Sequence, residues 1–202
     1  MHSLIVVAHP EAGSYTHAVA DQVITGLKKD PQNTFEIADL TAEGFDPRYT
    51  GADYRAFSGR TVPPADAVAE QARIDRVDLL VMIFPVYWWS MPAMLKGWIE
   101  RVFTNGWAYI DADGEETTRL LGRLAIQTIA IGGATRRTYD NRGYAKAMQT
   151  QIDLGIFGYV GARMVGSELL LPLDAASSQA GLERAREIGA NLNSAVMDAS
   201  VV

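Results

Sequence analysis

Residues 78–84, DLLVMIF, are the stretch that most limits how this chain can fold. One charge opens the run, six apolar residues follow, and Pro85 closes it. A run this short and this apolar reads as a strand buried on both faces. Such a strand needs helices packed above and below it, which points to an α/β sheet. Three aromatics, Tyr87, Trp88 and Trp89, come next, and then a helical pattern. Ser90 is placed to cap that helix, Pro92 suits its first turn, and Gly106 lies past its end. Met94, Leu95, Trp98, Ile99, Val102 and Phe103 share one stripe, so this face packs on the sheet. All four tryptophans lie between positions 88 and 107. Packing accounts for Trp98 and Phe103. It accounts poorly for residues 87–89, which stand at a strand's carboxyl end, where open α/β sheets take up ligands. Those three residues favour a flat aromatic ligand.

The amino-terminal stretch LIVVAHP reads as a second buried strand ending in a turn. Gly13 permits a tight turn, Ser14 or Thr16 can cap the helix beginning there, and Val19, Val23, Ile24 and Leu27 form its inner face. A strand, a short hydroxyl-bearing loop and a helix start make an anion site, because free N–H groups and the helix dipole face the loop. A plain capped helix explains the same residues. Neither a Walker A motif nor GxGxxG is present. His9, where the strand ends, can donate to an anion; His17 falls in the first helical turn. With His2 these are the three histidines of the chain, too few and too scattered for a metal cluster.

The remaining chain continues the alternation. TFEIADL reads as an edge strand, and residues 41–64, with Gly44, Pro47, Gly51, Gly59, Pro63 and Pro64, as a long irregular connection that rims a pocket. Residues 66–77 form an amphipathic helix. Residues 120–133 carry the fourth strand, and Gly132-Gly133 at its end lets backbone approach a partner closely. Residues 134–144 read as a polar loop, those after Gly143 as a helix, 162–172 as the fifth strand and 181–196 as the closing helix. The expected fold is α/β: a flavodoxin-like doubly wound parallel sheet of five strands in the order 2-1-3-4-5, with helices on both faces, formed by residues 1–202 as one domain. Its crevice falls between strands one and three, beside both suspected loops.

A formal net charge of −6 without blocks of like charge argues against nucleic acid or an anionic membrane surface as partner. The absence of cysteine excludes disulfides, thiol catalysis and thiolate metal sites. No apolar run reaches the roughly 18–20 residues of a membrane helix, and the first residues lack a charged leader. The expectation is a soluble cytoplasmic protein, not membrane-embedded.

AHPEAGSYTHA, then FPVYWW with SMPAMLKGWIERVF, then AIGG, resemble the flavodoxin-like NAD(P)H:quinone oxidoreductases, the family of DT-diaphorase and small bacterial relatives. The resemblance covers most of the chain in the same order. It implies a bound flavin, hydride transfer from NAD(P)H to a quinone or similar acceptor in a ping-pong sequence, and a homodimer with the site at the subunit interface. Carried over by position, His9, Ser14, Tyr15 and Thr16 hold the phosphate end. Pro85, Val86, Tyr87, Trp88 and Trp89 line the isoalloxazine. Ala130, Ile131, Gly132 and Gly133 approach its polar edge, and Tyr109 with Trp107 faces the substrate. Where DT-diaphorase has a tyrosine and a histidine near the flavin, this chain offers Tyr139 and Tyr144 and no histidine beyond His17. The cofactor is FAD or FMN, and the His-to-Ser spacing of the first loop matches the FAD-binding type. Two other readings are a flavin-bound regulatory accessory subunit of an ion-efflux system and a one-electron flavodoxin-type carrier. A carrier calls for a more acidic chain and a phosphate loop denser in Ser and Thr.

Overall fold

In a computed structural model, which describes residues 1–111 and 116–199, β3 (Leu79–Pro85) is buried at every position and sits at the centre of a five-stranded parallel sheet. Its neighbours are β1 (His2–Val7) and β6 (Ala125–Ile131), with β2 (Thr34–Asp39) and β7 (Arg163–Leu170) at the edges, giving the order β2-β1-β3-β6-β7. This is the expected 2-1-3-4-5 order, with one small element pair inserted. That pair is a hairpin of β4 (Tyr109–Ile110) and β5 (Thr118–Arg119), a detail the pattern did not announce.

The alternation of β3 builds two cores. Leu79, Val81 and Ile83 face α1 (Tyr15–Leu27) and α7 (Ala175–Asp198), together with Ile5, Val7, Val23, Ile129 and Ile188. Leu80, Met82 and Phe84 face α4 (Ala93–Val102) and its neighbours, packing with Leu95, Trp98, Val102 and Phe157. Each such side chain contributes about 1.5–3 kcal/mol when fully buried, so both helical layers are held by the same strand. The longest helix, α7, starts at a reciprocal cap between Asp174 and Ser177, earlier than its apolar pattern indicates.

Three stretches differ from the expectation. The connection at residues 41–64 holds a helix, α2 (Gly51–Phe57), started by a capping box in which Thr50 and Asp53 satisfy each other's backbone N–H groups. It precedes α3 (Ala65–Asp75). The polar loop at 134–144 contains α5 (Arg136–Asn141), capped by Thr135 through the amide of Thr138. Beyond Gly143, α6 (Tyr144–Met148) runs straight into a π-helix, Gln149–Gly158. In the first two, short side-chain caps supply what apolar periodicity is too brief to signal. Among the described residues no helix is long and apolar enough to cross a membrane.

Candidate functional site

At the carboxyl end of β3 the chain reverses within four residues. Tyr87 N–H donates to Ser90 O at 3.0 Å and Ser90 N–H to Tyr87 O at 3.1 Å, closing a two-residue hairpin turn. Trp88 (φ 49°) and Trp89 (φ 63°) are its central residues, both left-handed. A turn of this hand normally takes Asn or Gly. Each L-residue placed there costs roughly 1–2 kcal/mol, so two adjacent tryptophans hold strain that their surroundings must offset. Trp89 finds that support: it stacks on Tyr144 at 3.8 Å and 14°, and meets Tyr139 edge-on at 5.5 Å. Trp88 is 95% exposed and has no ring contact among the described residues.

The turn is also tied down from behind. Val86 N–H donates to Ile131 O at 2.8 Å, extending the β3–β6 ladder past Pro85. Ser90 Oγ donates to Gln151 Oε1 at 2.5 Å. That bond removes Ser90 from the capping role expected of it: the tight turn delays α4, whose cap position is Pro92 without a side-chain bond. Gln151, on the π-helix, carried no signal in the sequence.

Beside the turn, Gly132 and Gly133 end β6. Gly132 N–H donates to Leu170 O at 2.8 Å, and a Cβ on Gly132 would collide with the Tyr139 hydroxyl. Gly133 has open space where its Cβ would point and no left-handed φ. The glycine demanded by close packing is therefore Gly132, while Gly133 faces the cleft. Tyr139 is 1% exposed. Burial pushes its phenol up, with the Arg136 guanidinium partly opposing, so it stays protonated and able to donate. Val86, Trp88, Trp89, Gly133, Ala134 and Tyr139 enclose a cleft of about 290 Å³. Ala130 and Ile131 lie in the strand leading to it.

The β1–α1 loop lies across the crevice. Ser14 is the cap residue of α1 and accepts from His17 N–H at 3.4 Å. The first-turn N–H groups of Tyr15 and Thr16 have no acceptor within the helix. Side chains divide differently. Thr16 is 2% exposed, and Tyr15 donates its hydroxyl to Ser178 O at 2.7 Å, anchoring α1 to α7, so both offer the loop backbone alone. Burial pushes the Tyr15 phenol up as well. His9 Nδ1 accepts from Glu11 N–H at 3.0 Å, which leaves Nε2 as its free donor. His17 is not merely exposed: Nδ1 meets Ser14 Oγ at 2.8 Å and Nε2 meets Asp39 Oδ2 at 2.9 Å. Burial works to raise Asp39, but His17 and the amides of Ala42 and Thr41 outweigh it and hold the carboxyl below its ordinary value. Only the β2–β1 pairing, which sets Asp39 opposite Val7, could have revealed this contact.

Tyr109 and Trp107 stand apart from the cleft. Tyr109 packs on Tyr159 at 5.2 Å and lines a second cavity, about 390 Å³, with Tyr49, Ile99, Phe103 and Ile156; it shares no lining residue with the first. Burial, then the neighbouring Tyr159, pushes the Tyr109 phenol up. Trp107 donates Nε1 to Asp75 Oδ2 at 3.3 Å, near the amino end of β3.

Known proteins place this geometry. The family model described as "Flavodoxin-like fold" matches residues 1–192. NAD(P)H dehydrogenase [quinone] 1 of Cavia porcellus is 31% identical over 149 residues, 65% of this chain and 54% of that protein. The chain thus spans about half of that relative's length. Ribosyldihydronicotinamide dehydrogenase [quinone] of Pongo abelii is 31% identical over 157 residues, 69% of this chain and 67% of its own length. The solved NAD(P)H:quinone oxidoreductase from Methanothermobacter marburgensis superposes with a TM-score of 0.84 at 29% identity, covering 95% of this chain and 96% of that one.

Proposed function

Because the chain belongs to the flavodoxin-like family, we propose that it is a flavin-dependent oxidoreductase that reduces quinones, or similar acceptors, with NAD(P)H. The observation that carries this is the left-handed turn presenting Trp88 and Trp89 to an open cleft beside Gly133, at the carboxyl edge of a doubly wound sheet. Three features fit a flavin. The cleft has an aromatic wall, Gly133 brings bare backbone to its edge, and the β1–α1 loop offers unpaired amides with His9 and Ser14 for a phosphate. The relatives' names agree with the chemistry.

When bound, the flavin supplies the transfer of two electrons between nicotinamide and quinone. The protein binds and orients. Pro85, Val86 and Tyr87 set the turn's base, Trp89 is fixed by Tyr139 and Tyr144, and Trp88 is left free to pack on a ligand. Ala130, Ile131, Gly132 and Gly133 bring the polar edge of β6 to the ring, and Tyr139 keeps its phenolic proton to give a hydrogen bond there. One open cleft admits one flat partner at a time, so the two substrates alternate in it. FAD is favoured over FMN by the spacing of His9 and Ser14. In this reading the protein is a cytoplasmic homodimer, and Tyr109 and Trp107, held away from their own cleft, face the partner's.

The test is direct. Purified protein should be yellow and release one flavin per chain on denaturation, identified by absorption and mass. Steady-state rates should give parallel double-reciprocal lines at varied acceptor. A colourless protein that neither FAD nor FMN reconstitutes overturns the reading; intersecting lines overturn the alternating order.

A further inference from the structure

The contacts of His17 do more than start a helix. Asp39 Oδ1 accepts from the amides of Thr41 (3.2 Å) and Ala42 (3.1 Å), while Oδ2 faces His17 Nε2 at 2.9 Å. A carboxylate only accepts, so Nε2 carries the proton. A neutral imidazole has one N–H, which makes Nδ1 an acceptor. At 2.8 Å, the hydroxyl of Ser14 must then donate to Nδ1. The same oxygen receives the cap bond from His17 N–H. Its single proton is spent, and Ser14 has none to give to a ligand in the loop.

A second proton on His17 reverses the bond. Nδ1–H would donate to Ser14 Oγ, the hydroxyl would turn its own proton toward the loop, and a positive charge would stand between Asp39 and the incoming anion. We propose that His17 and Asp39 are positioning residues that set the direction of the Ser14 hydroxyl, so that binding a phosphate-bearing flavin takes up a proton. The inference rests on the flavin reading above and adds a regulation to its phosphate end. Balance is simple: one proton passes from solvent to Nδ1, and no other covalent bond changes. The charged and titratable groups facing His17 are Asp39 from the end of β2 and His9, whose ring lies edge-on at 6.3 Å; Glu11 in the loop and Asp21 on α1 flank it in sequence. His9 is already held by Glu11 N–H through Nδ1 and can donate without a change of proton. The extra proton both frees the Ser14 hydroxyl and adds a positive charge beside the anion, so the phosphate end should bind more tightly toward acid.

The experiment titrates flavin-stripped protein with FAD and with riboflavin, which lacks the phosphate, at pH 6 and pH 8. Calorimetry in two buffers of different ionisation enthalpy counts the protons. For one linked proton, FAD affinity should rise by up to about tenfold for each pH unit lowered between pH 8 and pH 6, with net uptake on binding, and riboflavin should show neither effect. His17→Gln should abolish the uptake and flatten the profile. Asp39→Asn keeps the acceptor for Thr41 and Ala42 but presents an amide to Nε2. It should flip the tautomer, free the Ser14 proton without protonation, and bind FAD more tightly than wild type at pH 8. Equal proton counts in wild type and His17→Gln, or weaker FAD binding by Asp39→Asn at every pH, would overturn the inference. Failure of riboflavin and FAD alike to bind would instead overturn the flavin reading.

Discussion

The connection at residues 41–64 and the turn at residues 87–90 look alike only in being loops. The first, rich in glycine and proline, reads as a loose rim, yet it is clamped. Arg101, 4% exposed, reaches from α4 to Asp53 at 2.9 Å, to Asp66 at 2.7 Å and to Asp46 O at 2.7 Å, with its guanidinium over Phe45. Arg73 draws Glu43 to Glu36 and Glu70. Among the described residues, Tyr87, Trp88, Trp89 and Ser90 make no ion pair; the turn holds two left-handed tryptophans, one of them almost wholly in solvent. Ion pairs tie the first to α3 and α4, while two left-handed tryptophans mark the second. The difference teaches that irregular composition is a poor guide to a site, and that a conformation costing free energy is a better one.

The largest effect expected from breaking this contrast lies in the clamp. Arg101→Ala leaves Asp53, 3% exposed, without its partner, and should cost about 3–5 kcal/mol in urea unfolding. Burial works to raise Asp53, but Thr50 and Arg101 outweigh it and hold it below its ordinary value. The unfolded chain therefore binds more protons in acid, and this contribution is present above the ordinary carboxylate range and lost as pH falls through the depressed value. Acid unfolding should be shallower in the variant. Flavin affinity in the folded fraction should be unchanged; a large loss would mean that the connection rims the cleft at Trp88 and Trp89 as well as the cavity that Tyr49 lines.

Next in size is Gly132→Ala, which drives a methyl group into the Tyr139 hydroxyl and should destabilise by about 1–3 kcal/mol. Gly133→Ala, with open space around it, should leave melting unchanged and weaken flavin binding. If the two glycines exchange these outcomes, the placement of the cleft edge is wrong.

Trp88→Asn sharpens the comparison because its sign is opposite. Asparagine tolerates the left-handed region and Trp88 buries almost nothing, so the apo protein should gain about 1 kcal/mol while flavin affinity falls. A destabilised variant would show that Trp88 is held by contacts of the folded chain. Smallest is Gln151→Ala, which removes the exposed bond to Ser90 and should cost about 0.5–1 kcal/mol by thermal melting.

Much of the architecture was readable because it rests on periodicity. Residues 78–84 announce a doubly buried strand, the stripe from Met94 to Phe103 packs where its spacing places it, and Ser14 caps α1 as its position suggests. The site was readable in part. The aromatic run and the glycine pair do converge at one sheet edge, but Tyr15 and Thr16 turn their side chains inward, and Trp107 and Tyr109 stand by another cavity. Side-chain direction depends on neighbours far along the chain, which no local pattern carries.

Sequence alone determined the alternation of the five main strands with helices and the two faces of β3, because burial alternates at a period the backbone imposes. Tertiary structure decided which of two adjacent glycines is crowded, which hydroxyl caps and which reaches away, and that His17 meets Asp39 22 residues further on. Those outcomes turn on contacts of a few ångströms between elements distant in sequence, and they exist only once the sheet has set β2 beside β1 and β6 beside β3 and β7.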